Sequence, residues 1–160
     1  MRGVVLFVAG VLVGLAVQTA VAQKRTEVYV NHVGLSVPSV DGALAFYTQK
    51  MGFREAFRQT SPEGKLVSAY VQVSKNTFIE LQEANAQRPA GVNHFGLAVD
   101  SIEDAVKMFR AGGATSSDAA PPSAFSHARL ANVTDLNGVR VELAELTPDS
   151  LQRKAIDGWK

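Results

Sequence analysis

The sequence predicts an α+β fold built from two repeated βαβββ modules, and an internal repeat is the main observation behind it. Residues 31–37, Asn-His-Val-Gly-Leu-Ser-Val, return 62 positions later at 93–99 as Asn-His-Phe-Gly-Leu-Ala-Val. The same offset relates Ile-Glu-Leu at 79–81 to Val-Glu-Leu at 141–143. Each copy also begins with a β-branched alternating segment followed by a helical one. Such a repeat indicates two copies of one supersecondary unit.

The first module is predicted to contain one helix and four strands. Alternating β-branched residues indicate the first strand, and Pro38 ends it because proline cannot donate to a strand ladder. Apolar residues then fall at helical spacing up to Gly52, which ends the helix. The predicted bounds are a strand at 28–37, a helix at 42–51, and strands at 53–58, 66–73 and 77–82.

The second module is predicted to repeat this order after a polar connection at 83–91. A segment rich in Ser, Ala and Pro, at 114–124, is expected to be a surface loop. The tail at 148–160 is weakly helical, and Trp159 is expected to dock it on the domain. The predicted elements are a strand at 92–99, a helix at 102–110, and strands at 129–134 and 139–145.

Residues 1–22 have the features of a secretory signal peptide. A short basic start precedes an uncharged apolar run, and Ala20-Val21-Ala22 is a small-x-small cleavage pattern. We therefore expect export to the periplasm or the medium. The alternative is an uncleaved membrane anchor, because residues 4–22 approach the roughly 20 apolar residues that span a bilayer. The predicted domain is 23–147, with module one at about 27–83, module two at about 91–146, and the tail at 148–160.

Composition limits the partners of this domain. Without Arg2, the 16 basic residues of the chain become 15, which equals its 15 acidic residues. No basic stripe is present, which argues against nucleic acid as a partner. The chain has no cysteine, so neither a disulfide nor a thiolate metal ligand is available.

Each module contributes one histidine and one glutamate at matching positions, His32 and Glu80 in the first and His94 and Glu142 in the second. Strand alternation places each polar residue opposite the bulky aliphatic side chains, on a concave face with small neighbours. The faces predicted from alternation are Val28, Val30, His32, Gly34 and Ser36; Phe78, Glu80 and Gln82; His94, Gly96 and Ala98; and Arg140, Glu142 and Ala144.

These four residues are predicted to bind a divalent metal ion. A single strand histidine is more often a hydrogen-bonded core residue, and a single strand-end glutamate is more often solvated. Two carboxylates in a partly desolvated cleft repel each other, however, and burying their charge is costly unless they are paired or bound to metal. A cation held by two neutral imidazoles and two carboxylates removes that conflict. Nitrogen and oxygen ligands without sulfur suit Zn, Ni, Co, Mn or Fe(II).

On these residues the chain resembles the vicinal oxygen chelate superfamily, the glyoxalase–bleomycin resistance–dioxygenase fold, and most of all its glyoxalase I branch. Residues 43–52 and the Asp-Leu-Asn-Gly turn at 135–138 also match family patterns. The resemblance implies a metal-bearing cup, commonly completed in a homodimer, that acts on a small oxygen-chelating substrate. It further implies a lyase or isomerase reaction through an enediolate-type intermediate, with Glu142 as the leading general base and Glu80 as the second.

Two departures from glyoxalase I concern its substrate. Bacterial members carry an arginine and an asparagine that hold glutathione, and Ser36 and Ala84 stand at those positions here. Glutathione also belongs mainly to the reducing cytosol. These observations argue against the hemithioacetal of glutathione as the substrate.

Three other functions remain open on the sequence. An Fe(II) extradiol dioxygenase needs only His32, His94 and Glu142. Its catalytic histidine would be His127, for which an ordinary exposed histidine is the favoured interpretation, and Asn132 stands where its tyrosine would be. An epimerase ranks lower, because those members typically have glutamine at the position of Glu80. A non-catalytic small-molecule binder would use an apolar wall of Phe57, Tyr70 and Phe125, for which core packing is favoured.

Overall fold

The computed structural model describes residues 26–160 and contains one seven-stranded mixed sheet with three α-helices. The α+β class predicted from the repeat is therefore confirmed. The predicted signal peptide, residues 1–22, lies outside the described residues. Within residues 26–160, no helix has the length and apolar character needed to cross a membrane.

The elements follow the predicted order in both modules. Module one contains β1 (Val28–Val37), α1 (Val40–Ala45), a π-helical turn (Phe46–Lys50), β2 (Arg54–Thr60), β3 (Leu66–Ser74) and β4 (Thr77–Glu83). Module two contains β5 (Gly91–Val99), α2 (Ile102–Ala111), β6 (Arg129–Thr134) and β7 (Arg140–Glu145), and α3 (Leu151–Asp157) follows in the tail.

Module two has one strand fewer than the predicted βαβββ pattern. The segment after α2 runs beside β6, where the backbone N–H groups of Ser117 and Ala120 donate to β6 carbonyls. Its pairing is reduced to one isolated bridge between Ser116 and Val133. The adjacent Pro121-Pro122 pair lacks backbone N–H donors and cannot extend a ladder. The loop predicted at 114–124 therefore replaces the strand.

The sheet places the two histidine strands at its centre. Its strand order is β2-β3-β4-β1-β5-β7-β6, and the antiparallel pairing of β1 with β5 joins the two modules. β4 runs parallel to β1, and β7 runs parallel to β5. The two modules are thus related by an approximate two-fold axis between β1 and β5. Each histidine strand lies next to the glutamate strand of its own module.

One β-bulge in each central strand alters the predicted alternation. The register moves from Val30 to His32 on β1 and from Val92 to His94 on β5, so Asn31 and Asn93 are the additional residues. A bulge shifts the side-chain parity of the residues before it. Val28, predicted to share a face with His32, instead packs in the apolar cluster under α2. The prediction for this side chain is wrong because alternation does not continue through a bulge.

The apolar core is divided between the two faces of the sheet. Clusters under α1 and α2 fill the helical face. On the opposite face, a third cluster joins Tyr70 and Phe78 of the sheet to Ala155 and Ile156 of α3. The tail is held there by Arg54, whose guanidinium donates to the Ala155 carbonyl and lies 5.4 Å from the Trp159 ring centroid. The predicted docking of the tail is confirmed.

Candidate metal centre

Two rows of cross-strand neighbours form the site on the four central strands. In such a row, residues on adjacent strands lie directly opposite each other and share a face. The approximate two-fold axis exchanges the rows, so each contains one histidine, one glutamate and one glycine. The first row is Glu80, Gly34, His94 and Arg140, and the second is Phe78, His32, Gly96 and Glu142.

The structure brings the four predicted ligand side chains into one cluster. The Nε2 atoms of His32 and His94 are 3.0 Å apart, and Glu80 Oε2 lies 3.1 Å from His94 Nε2. Glu142 Oε1 lies 3.5 Å from His32 Nε2. Two donors held at ~2.1 Å from one ion, at ~90–109°, are about 3.0–3.4 Å apart. The observed separations therefore have the scale of a shared coordination sphere.

The four side chains are almost completely buried. Both histidines have no exposed surface, and Glu80 and Glu142 are 6% and 8% exposed. Among residues 26–160, donor atoms of His32, His94 and Glu142 all lie within 4.8 Å of one another. Glu80 contacts the two imidazoles from the other side, 3.9 Å from His32 Nε2. The chemistry of this donor set fits a divalent cation.

Gly34 and Gly96 leave the space that the imidazoles occupy. Gly34 lies opposite His94 in the sheet, and Gly96 lies opposite His32. A Cβ atom on Gly34 would be 2.1 Å from Cε1 of His94, and one on Gly96 would be 2.0 Å from Cε1 of His32. Any larger residue would displace a ring. Each ring therefore lies across the glycine of the opposite module.

The Asn31 side chain fixes the orientation of His32. Asn31 Nδ2 donates to the Asn76 carbonyl, so the oxygen of the amide is the atom that faces His32. That oxygen lies 3.1 Å from Nδ1 of His32 and accepts a hydrogen bond from its N–H. Nε2 of His32 then carries no proton, and its lone pair faces the cluster. A metal-binding imidazole needs such a free lone pair. The bulge at Asn31 is what brings the adjacent side chains together.

Asn93 stands in the equivalent place beside His94. Its Nδ2 donates to Gln82 Oε1, and Gln82 Nε2 donates to Glu80, so the amide oxygen of Asn93 faces the ring. This oxygen lies 3.2 Å from His94 Nδ1. Arg140 Nη2, 2.7 Å from the same nitrogen, competes for it. If His94 binds a cation through Nε2, its proton lies on Nδ1. Arg140 must then stop donating to Nδ1.

Sequence reasoning missed these orienting amides, although the signal was present. The Asn-His pair occurs in both copies of the repeat. Strict alternation places neighbouring residues on opposite faces of a strand, which hid the contact between them. Gln82, predicted only to share the face of Glu80, also has a specific contact there: its amide donates to Glu80 Oε1 at 2.7 Å.

We expect Asn31→Ala to weaken divalent-metal affinity by about 10–100-fold, because the His32 ring loses the acceptor that fixes its tautomer. Asn31→Asp keeps an oxygen beside His32 but loses the hydrogen bond to the Asn76 carbonyl. Comparison of the two variants therefore separates the effect of orienting the ring from the effect of the bond to Asn76. A chelator-competition titration measures both. Wild-type affinity in the alanine variant would contradict the role of the amide.

Burial and neighbouring charges separate the ionisation of the site residues. Burial lowers the pKa of His32 to about 4, so its imidazole is neutral at neutral pH. Burial and the nearby Glu80 raise the pKa of Glu142. Burial also acts to raise the pKa of Glu80, but hydrogen bonds from His94 and Gln82 and the proximity of both imidazoles lower it overall. The two carboxylates are therefore chemically distinct.

An aromatic cluster borders the site in module one. The Tyr70 ring stands edge-on to His32 at 5.7 Å between centroids, and Phe57 stacks on Tyr70 at 4.5 Å. Phe125 packs against Phe57 at 5.7 Å. With Phe78 and α3, these rings belong to one packed cluster, as the core interpretation of Phe57, Tyr70 and Phe125 predicts.

Two other residues considered in the sequence analysis lie outside the cluster of ligands. His127 is exposed, has a φ of 59°, and is not among the clustered donors of the described chain. Ser36 is buried, and its hydroxyl accepts a hydrogen bond from Asn93 at 3.2 Å. Ser36 therefore helps to hold the Asn93 side chain beside His94.

This fold and cluster are those of a known superfamily. The family model described as the Glyoxalase/Bleomycin resistance protein/Dioxygenase superfamily matches residues 29–143. The chain belongs to this superfamily, as the resemblance noted in the sequence predicts. Members of it are generally metal-dependent enzymes that bind small-molecule substrates.

Individual relatives are more distant. A chloroplastic protein of Arabidopsis thaliana named "Probable lactoylglutathione lyase" is 26% identical over 128 residues, which cover 73% of this chain and 35% of that protein. The chain thus spans about a third of the length of this relative.

Solved structures show the same fold. A methylmalonyl-CoA epimerase from Mycobacterium tuberculosis is 21% identical, with a TM-score of 0.63 over 74% of this chain and 88% of that one. A hypothetical protein from Bacillus halodurans C-125 is 22% identical, with a TM-score of 0.63 over 76% of this chain and 96% of that one. At these identities, the likeness concerns the fold alone.

Proposed function

We propose that this protein is a divalent-metal-dependent lyase or isomerase of the glyoxalase type, acting on a small molecule with two adjacent oxygen atoms. The observation that supports it most is the convergence of His32, His94, Glu80 and Glu142 within a buried cluster. A metal held by these side chains would polarise the substrate oxygens and acidify the neighbouring C–H bond. Zn, Ni, Co, Mn and Fe(II) all suit the donors.

Glu142 is the proposed general base. Arg140 Nη1 holds its Oε2 at 3.1 Å, which leaves Oε1 directed into the cluster. Its pKa is raised by burial and by Glu80, so its carboxylate accepts a proton more readily than an exposed one. In this proposal, Glu142 takes the proton from the carbon next to a substrate carbonyl.

Glu80 is the proposed second proton carrier. Gln82 holds its Oε1 at 2.7 Å, and its Oε2 faces the imidazoles. The two glutamates come from opposite modules, on strands that flank β1 and β5. Carboxylates whose environments separate their pKa values commonly divide acid and base roles. A proton taken by Glu142 could thus be balanced by one delivered from Glu80.

We propose a substrate other than the glutathione hemithioacetal. Ser36 is 2% exposed and lies under Asn93, so its position cannot present a long cationic side chain to a ligand. Ala84 has no polar side chain to offer. The Arabidopsis relative named for lactoylglutathione covers this chain at low identity, and its name applies to that protein.

An Fe(II) extradiol dioxygenase is the second candidate. The donor atoms of His32, His94 and Glu142 lie within 4.8 Å of one another, and a two-histidine, one-carboxylate set suits Fe(II). The position of Glu80 against both imidazoles favours the first proposal, because a fourth ligand would occupy a place that oxygen needs.

The test is to load the purified protein with each metal and supply three substrate groups: 2-oxoaldehyde adducts, catechols and epimerisable thioesters. Exchange of C–H for solvent deuterium in the 2-oxoaldehyde adducts, followed by NMR, would support the glyoxalase-type reaction, whereas exchange confined to the thioesters would support an epimerase. A yellow ring-cleavage product formed with Fe(II) would support the dioxygenase. A metal-replete protein inert toward all three groups would support a non-catalytic binder.

We further propose that the protein is exported and forms a homodimer. The first rests on the basic start, apolar run and Ala20-Val21-Ala22 pattern, and the second on family resemblance. Cell fractionation with N-terminal sequencing tests the first, and light scattering on a sizing column tests the second. An N-terminus that retains the apolar run would favour the membrane anchor.

A further inference from the structure

A polar cavity opens beside the glutamate and histidine cluster, between the end of β4 with the connection that follows it and the strands β5 and β7 of module two. Its volume is about 460 Å³, and it is lined by Gln82, Asn85, Gln87, Arg88, Asn93 and Arg140. Both charged residues of this lining are arginines, and no carboxylate contributes to it. The lining of the cavity therefore carries cationic side chains and no anionic ones.

Three lining residues connect the cavity to the glutamates. Gln82 donates to Glu80, and Asn93 donates to Gln82. Arg140 donates to Glu142 at 3.1 Å and to Asn93 at 3.4 Å. This hydrogen-bonded chain runs from one catalytic candidate to the other along the cavity. A group bound in the cavity would contact the residues that hold both glutamates, Gln82 and Arg140.

The second arginine has unused capacity for an anion. Arg88 Nη2 donates to the Glu83 carbonyl, and its Nε is buried without a hydrogen-bond partner. Within residues 26–160, no carboxylate lies within 4.0 Å of the Arg88 guanidinium, whereas Arg140 is paired with Glu142. Arginine binds carboxylate and phosphate through a planar set of donors. An anion in the cavity would pair with the Arg88 guanidinium, which no described carboxylate neutralises.

The broken symmetry of the repeat supports a directional site. At the 62-residue offset, Arg140 of module two replaces Phe78, and Asn132 replaces Tyr70. The place of Phe78 and Tyr70 is thus filled by packed aromatic rings, whereas the cavity next to Arg140 is open and polar. The site therefore offers a substrate cationic side chains at one end only.

We propose that this cavity binds an anionic group of the substrate, a carboxylate or a phosphate, through Arg88 and Arg140. This inference rests on the proposed function and narrows its substrate class to small anions whose charged group lies close to the reacting oxygens. Gln82, Asn85 and Asn93 supply further polar contacts along the cavity.

The test measures anion binding directly, by calorimetric titration of the metal-free protein with inorganic phosphate and, separately, with acetate. Binding of either probe is expected, weakening as salt rises, and the preferred probe identifies the anion type. Arg88→Gln should weaken it by about 10-fold or more, and Arg88→Lys by less. Arg110→Gln, which changes an exposed arginine paired with Asp118, is the matched control and should bind as the wild type does.

Two results would overturn the inference: no binding of either anion by the folded wild-type protein, or equal affinity in wild type and Arg88→Gln. Circular dichroism and metal content show whether the variant is folded, since Arg88 lies outside the candidate metal ligands. Failure here is separable from failure of the proposed function. Turnover of neutral substrates without anion binding would contradict only the anion site, whereas anion binding without any proton exchange would contradict only the reaction.

Discussion

Gly96→Ala is expected to reduce divalent-metal affinity by more than 100-fold and to destabilise the fold. The added methyl would lie 2.0 Å from Cε1 of His32, a ring with no exposed surface and no free space to move into. Inserting a methyl into a packed interior costs about 1–3 kcal/mol. Metal titration and thermal melting measure the two effects, and Gly34→Ala should behave in the same way through His94.

Gly112→Ala is the matched control for this prediction. Gly112 ends α2 with a φ of −80°, and a Cβ there would be 3.4 Å from the nearest atom, the Phe109 carbonyl oxygen. We expect wild-type metal affinity from it. Wild-type metal affinity in Gly96→Ala would show that the imidazole position is unimportant for the site.

Glu142→Gln is expected to lower the rate of substrate proton exchange by about 10²–10⁴-fold, the range that a positioned acid or base contributes. Glutamine keeps the shape of the side chain and can still accept from Arg140, but it cannot take up a proton. Exchange of substrate C–H for deuterium, followed by NMR at saturating metal, measures this loss.

Glu80→Gln separates the two glutamates. We expect metal retention to fall by at least about 10–100-fold, because Glu80 contacts both imidazoles. Glu83→Gln is the matched control. It removes a carboxylate of the same strand, which pairs with Lys65 outside the cluster, and it should leave metal retention and proton exchange unchanged. Full proton exchange in metal-saturated Glu142→Gln would contradict the assignment of the base.

The repeat predicted most of this architecture. The equivalence of residues 31–37 and 93–99 implies two modules with similar first strands, and the structure pairs these strands, β1 and β5, with each other. It also implies that His32, Glu80, His94 and Glu142 occupy related places, and the structure brings them together. Because duplicated sequence specifies duplicated local structure, the histidine and glutamate of one module identify the equivalent pair in the other.

The features that escaped prediction depend on contacts between distant segments. The bulges at Asn31 and Asn93 arise from the register between β1 and β5, which no local pattern determines. The sequence predicts that the tail docks, but not which residues hold it: the side chains of Arg54 and Gln72 donate to the Ala155 carbonyl of α3. The charged cavity depends on Arg88 of the connection between the modules and on Arg140 of module two.

Metal analysis of the purified protein tests the central claim most directly. After dialysis against metal-free buffer, we expect about one equivalent of divalent metal per chain in the wild type. A His32→Gln, His94→Gln double variant, shown to be folded by circular dichroism, should retain almost none. A wild-type protein that holds no more metal than this variant, even after loading with each candidate ion, would contradict the account.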